Sequence, residues 1–140
     1  MSAKFFLDTN VLVYFFDSSD RRKQRRAQSL IETALESHGG SISWQVVQEF
    51  LNVATRKFSV PMKPAESQKY LAAVLGPLCE IYPSVPLYDE ALRLKDQTGF
   101  SYYDSLIVAA ALAAGCDILY SEDLSHGQKI GGVTIQNPFR

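Results

Sequence analysis

Short apolar runs alternate along this chain with longer stretches of helical periodicity, and that alternation leaves few folds open. "KFFL", "SIS", "LCEIY", "DILYS" and "GVTIQ" each have the length of a buried strand. Between them Ala27, Leu30, Ile31, Ala34 and Leu35 recur at helical spacing, as do Val47, Phe50, Leu51, Ala54 and Phe58. "VLVYFFD" follows Thr9 and Asn10, which suit a helix N-cap, and so reads as a short helix. Gly39-Gly40 reads as the stop of the next helix, Ser43 as the cap of the one after, and Pro64 as the first turn of a helix reaching about Leu75. "YDEALRLKDQTG" reads as an amphipathic helix ended by Gly99. Tyr102 to Ala114 is apolar nearly all round, which predicts an interior helix stopped by Gly115. Strands alternating with helices predict an α/β fold: three α/β/α layers on a twisted, mainly parallel sheet of four to five strands. With 140 residues and no linker, 1–140 is expected to be a single domain.

Composition narrows the function classes. A formal charge of −1 excludes a polybasic protein that grips nucleic acid by bulk charge, so any such contact needs a local patch. Cys79 and Cys116 share no metal-ligand spacing and read as buried, reduced thiols. No apolar run approaches the ~20 residues of a membrane span, and nothing near Lys4 reads as a signal peptide. A cytoplasmic protein with no membrane partner is expected.

Four carboxylates stand at the joints between elements. Asp8 follows "KFFL", Glu49 lies early in the helix after "SIS", Asp104 opens the apolar helix, and Asp123 follows "DILYS". A parallel sheet gathers such positions at its carboxyl edge. Each has a structural alternative: Asp8 as a turn residue, Glu49 as a surface acid, Asp123 as an ordinary loop residue. For Asp104, Ser101-x-x-Asp104 is the spacing of a capping box. Together they are costly, since one like-charged pair at about 5 Å and an effective dielectric of about 20 costs about 3 kcal/mol. Protonation or a divalent cation relieves that cost. With Asn10 and Ser121 as helpers and no His or Cys in these motifs, hard oxygen donors select Mg²⁺ or Mn²⁺, and phosphoester hydrolysis is the chemistry such ions serve.

"RRKQRR" places Arg21, Arg22, Lys23, Arg25 and Arg26 at a helix start, where cations oppose the helix dipole. It reads either as a solvated face partly offset by Asp17 and Asp20, or as a patch for RNA phosphates. Trp44, Tyr102 and Tyr103 lie near the acids and suit either core packing or base stacking. His38 and His126 read as loop and helix-end residues without a role in the chemistry.

"FFLDTNVLVYFFD", "SWQVVQEFLNVATRK", "FSYYDSLIVAAALAAGCDILYSEDL" and "IQNPF" resemble, in order and spacing across nearly the whole chain, the PIN-domain nucleases, and most of all the VapC toxins of toxin–antitoxin pairs. The resemblance implies a metal-dependent endoribonuclease, a hydrolase that uses Mg²⁺ or Mn²⁺ and leaves a 5′-phosphate and a 3′-hydroxyl on the cut RNA. It further implies a homodimer silenced by a VapB-like antitoxin whose tail crosses the active-site groove. By motif, Asp8 and Asp104 would be the principal metal ligands, with Glu49 and Asp123 as further catalytic and metal-binding acids, and Asn10 and Ser121 in support. Either Glu122 or Asp123 could face the metal, with Asp123 favoured. Two other readings stay open: a PIN-like interaction module without catalysis, and a haloacid-dehalogenase-like phosphatase, which would need an acid where Asn10 stands.

Overall fold

A computed structural model describes residues 3–140. Strand β1 (Phe5–Leu7) is wholly buried and passes through Asp8 into helix α1 (Thr9–Tyr14). Helix α2 (Arg21–Ser37), strand β2 (Gly40–Ser43) and helix α3 (Trp44–Arg56) follow. Helix α4 (Pro64–Tyr70) continues through a π-helical stretch, Leu71–Leu75, into the short α5 (Gly76–Leu78) and strand β3 (Cys79–Ile81). Helices α6 (Val85–Thr98) and α7 (Tyr102–Ala113) lead to strands β4 (Ile118–Tyr120), β5 (Lys129–Ile130) and β6 (Val133–Gln136).

The sheet has six strands in the order β3-β2-β1-β4-β6-β5. All neighbours are parallel except β5, which runs antiparallel to β6. The sequence pattern predicts four to five strands; the extra one is the two-residue β5, too short to carry a periodicity. From β1 the chain builds outward to β2 and β3 on one side, then crosses to β4 on the other. That reversal puts a topological switch point at the carboxyl ends of β1 and β4, the place where open α/β sheets hold their ligands.

Helix α7 buries every residue from Ser105 to Ala111, as its all-apolar surface requires, and packs against α6, β2 and β4. Phe6, Leu7, Ile42, Phe50, Leu119 and Ile135 are sealed from solvent, each worth about 1.5–3 kcal/mol of transfer free energy. No described helix is long and apolar enough to cross a membrane. Both cysteines are free thiols, and burial pushes Cys116 up to about 12.

Three boundaries differ from the sequence reading. Asp8, not Thr9 or Asn10, is the N-cap of α1, its carboxylate accepting from the Thr9 N–H. Ser43 occupies the N-cap position of α3, but its hydroxyl makes no capping bond. His38, not a glycine, takes the left-handed conformation that ends α2, at φ 58°. Gly40 instead begins β2, where a Cβ would stand 2.2 Å from the Ala34 Cβ, so only glycine lets α2 lie this close to the strand.

Gly40→Ala is therefore expected to destabilise the fold by about 1–3 kcal/mol in urea unfolding. Gly39→Ala, whose nearest contact would be the Ser37 hydroxyl at 3.2 Å, should cost clearly less. Equal midpoints for the two variants would contradict this account of the α2–β2 junction.

Candidate active site

Register places the first acid. Leu7 pairs with Tyr120 across β1 and β4, and the Asp8 N–H donates to the Tyr120 carbonyl at 3.0 Å. One residue further along each strand, the Ser121 hydroxyl donates to Asp8 Oδ2 at 2.7 Å. The Thr9 N–H donates to Oδ1, also at 2.7 Å. Asp8 is only 7 % exposed. Burial drives its pKa up; the bonds from Ser121 and Thr9 pull it down, and the charges of Glu49 and Asp123 push it up again. The outcome is about 6.

Glu49 reaches this network from α3. The Thr9 hydroxyl donates to its Oε2 at 2.9 Å, and the Gln45 amide, one turn earlier, donates to its Oε1 at 2.8 Å. The same amide donates to the Tyr103 carbonyl at 3.2 Å, which sets the first turn of α7 beside α3. Asp104 lies in that turn. Its N–H donates to the Ser101 hydroxyl at 3.1 Å, yet its carboxylate does not complete a capping box and has no hydrogen-bond or ion-pair partner among the described residues.

Asp123 is held from α1, the Asn10 amide donating to its Oδ2 at 3.1 Å. Its own N–H donates to the Ser121 hydroxyl at 3.2 Å, so one serine serves both Asp8 and Asp123. Glu122 turns the other way, accepting from the Tyr14 hydroxyl at 2.7 Å and pairing with Lys23. Burial alone would raise Glu122, but the Lys23 ammonium and the Tyr14 hydroxyl outweigh it and hold Glu122 below the usual carboxylate range. Asp123 is thus the acid of this adjacent pair that shares partners with Asp8.

Asp8, Glu49, Asp104 and Asp123 have no Lys or Arg ion-pair partner among the described residues, where the pairs are Lys4–Glu80, Lys23–Glu122 and Arg93 with Asp89 and Glu90. The donors fit a hard cation in kind and in charge. No three described acidic, histidine or cysteine side chains stand close enough to hold one ion among them. A divalent ion here would take one or two carboxylates directly and fill its remaining positions with water, the usual habit of Mg²⁺.

The basic run has a largely internal role. Arg22 donates to the Phe139 carbonyl at 2.7 Å, Arg26 to the Pro138 carbonyl at 3.2 Å, and Lys23 to Tyr14 and Glu122. Arg21 and Arg25 are exposed and make no side-chain bond to a described residue. Tyr103 is 68 % exposed beside Asp104, whereas Trp44 packs edge-on against Tyr88. His126 accepts from the Asn137 N–H at 3.0 Å and so braces the C-terminal segment.

Sequence reasoning passed over Gln45 and the Thr9 hydroxyl. Gln45 stands four residues before Glu49 on one helical face, a readable signal. Tyr14 and Lys23 meet Glu122 across 108 and 99 residues, and nothing local announces that contact.

A carboxyl whose native pKa exceeds its unfolded value binds its proton more tightly when folded, so ionising it destabilises the fold. For Asp8 this cost is absent below about pH 4 and complete above about pH 7. In chelated buffer, raising the pH through that window should remove about 2–3 kcal/mol of stability, and Asp8→Asn should abolish that part of the slope. Urea unfolding of both proteins across the window measures it; parallel profiles would contradict the burial of an ionising Asp8.

Residues 5–128 match the family model of the PIN domain. No curated protein sequence matches the chain. Among solved structures, a toxin–antitoxin complex from Klebsiella pneumoniae superposes with a TM-score of 0.70 at 23 % identity, covering 98 % of both chains. VapC20 of Mycobacterium tuberculosis, described as a sarcin–ricin loop cleaving toxin, gives 0.61 at 19 % identity over 86 % of this chain and 90 % of its own. VapBC2 of Rickettsia felis, bound to promoter DNA, gives 0.58 at 18 % identity over 94 % and 96 %. The family model spans most of the chain, and the mainly parallel sheet agrees with these solved structures: the chain belongs to the PIN domain family.

Proposed function

We propose that this PIN domain is a Mg²⁺- or Mn²⁺-dependent endoribonuclease and the toxin of a VapBC-type pair. One observation carries the reading. Asp8, Glu49 and Asp123 are joined through Thr9 and Ser121 at the carboxyl ends of β1 and β4, with Asp104 in the neighbouring first turn of α7, and none of the four has a Lys or Arg partner among the described residues. Asp8 in particular is buried with no cation beside it, and a buried carboxyl of purely structural purpose would be expected to have one.

Asp8 and Asp104 would hold the ion, with Glu49, Asp123 or water completing its surroundings, and the ion would supply positive charge for the phosphate and a more acidic water. The chain's own groups do the rest. Glu49, fixed by Thr9 and Gln45, orients the attacking water and accepts its proton, while Asp123 is held against Asn10 to assist. The water oxygen bonds to phosphorus in line with the departing 3′-oxygen. The P–O3′ bond breaks, the 3′-oxygen of the upstream fragment takes a proton to become a hydroxyl, and the phosphate stays on the 5′-oxygen of the downstream fragment. Exposed Arg21 and Arg25 are the members of the basic run available to backbone phosphates, and exposed Tyr103 to an unpaired base.

The likeness to toxin–antitoxin complexes supports an antitoxin partner, and a cytoplasmic site of action would follow from an RNA substrate. Dimerisation would use the edge strand β3 and the neighbouring face of α6, where Tyr82, Val85 and Leu92 are exposed.

Incubation with total RNA and Mg²⁺ or Mn²⁺ should give discrete cleavage that a chelator abolishes. Asp8→Asn and Asp104→Asn should each lower the rate by at least about 100-fold. Full turnover in either folded variant, or in chelator, would defeat the assignment.

A further inference from the structure

We propose that Lys23 is a positioning residue that decides which of the two adjacent acids after β4 serves the site, holding Glu122 against Tyr14 and the start of α2 so that Asp123 faces Asn10. The inference rests on the nuclease reading only for its effect on turnover; its structural part stands separately. Glu122 and Asp123 are neighbouring carboxylates on a loop without regular structure, and Asn10 touches both residues. Its Oδ1 accepts from the Glu122 N–H at 3.4 Å, while its Nδ2 donates to the Asp123 carboxylate at 3.1 Å. Without a further constraint, either carboxylate is a chemically sensible partner for that amide.

The constraint comes from α1 and α2. The Tyr14 hydroxyl donates to Glu122 Oε1 at 2.7 Å, and the Lys23 ammonium pairs with Oε2 while donating to the Tyr14 oxygen at 3.2 Å. The same ammonium lies 4.7 Å from the Tyr14 ring centre and 5.7 Å from that of Phe139. Tyr14 and Phe139 pack edge to face at 4.8 Å, and Arg22 ties down the Phe139 carbonyl at 2.7 Å. The Lys23 and Glu122 side chains are 22 % and 24 % exposed, so the pair is partly withdrawn from solvent and both Glu122 oxygens are engaged.

Lys23 is also badly placed for its own helix, a cation in the first turn of α2 where the dipole disfavours it. Glu122 offsets that cost. Remove the ammonium, and Glu122 becomes an unpaired, half-buried charge beside the acids of the site, free to compete with Asp123 for the Asn10 amide and to repel it.

The test uses the full chain carrying Lys23→Met, Lys23→Gln or Lys23→Arg, each compared with Asp123→Asn. In ¹H–¹⁵N spectra, the Asn10 side-chain amide should move in Lys23→Met and Lys23→Gln toward its position in Asp123→Asn, and stay near the wild-type position in Lys23→Arg. In RNA cleavage, Lys23→Met should lower kcat about tenfold with KM within about twofold, and add nothing in an Asp123→Asn background. An unmoved Asn10 amide in Lys23→Met, or a kcat loss that multiplies with that of Asp123→Asn, would overturn the role of Lys23. A wild-type chain that cuts no RNA would count against the nuclease reading, and the Asn10 resonance alone would then decide on Lys23.

Discussion

Parallel pairing of β1 with β4 is the contact on which the site depends. It brings together two segments 113 residues apart and sets Asp8 against Ser121 in a register shared with Leu7 and Tyr120. A one-residue slip would part Asp8 from Ser121 and exchange the side chains that β1 presents to the two buried faces of the sheet. Because Leu7 and Leu119 are fully buried, the apolar core enforces the register that the polar site needs. From Asp8 the remaining links are short. Thr9 carries the network to Glu49, Ser121 to Asp123, and Gln45 onward to the turn that bears Asp104.

The same arrangement works against the stability of the fold. Asp8 is buried and close enough to Glu49 and Asp123 to feel both charges, so its ionisation is opposed on balance even though two donors assist it. The chain has cations to spare, and α2 begins with a run of them, but they are spent elsewhere. Arg22 and Arg26 anchor the C-terminal carbonyls, and Lys23 neutralises Glu122, the neighbour of Asp123 that takes its partners from α1 and α2 instead of sharing those of Asp8. At the ends of β1 and β4, then, Glu122 carries a cation while Asp8, Glu49 and Asp123, which share partners, carry none among the described residues. That uncompensated charge beside a buried carboxyl is the physical case for a divalent ion at Asp8.

Much of this was legible from residue order, and the reasons are local. The alternation of apolar runs and helical stripes marks the sheet and its covering helices, and the all-apolar run after Asp104 marks the buried α7. The acids at strand exits and helix starts stand out because a parallel sheet collects such positions. What escaped was non-local or sterically subtle. The left-handed His38 and the 2.2 Å approach at Gly40 depend on how α2 meets β2, and β5 exists only as a pairing partner for β6. The basic run read as either a solvated face or a phosphate patch, and its internal role went unseen because its carbonyl and carboxylate partners lie about a hundred residues away, in the C-terminal segment and the loop after β4.

Calorimetric titration of Mn²⁺ near pH 6, repeated in buffers of different ionisation enthalpy, probes the central claim most directly. If a divalent ion binds beside Asp8, binding must displace the proton that this carboxyl still partly holds, releasing about half a proton per site at pH 6 and almost none at pH 8. Asp8→Asn should abolish the release. Binding with no proton release at pH 6, or no binding by the wild-type chain, would contradict the account.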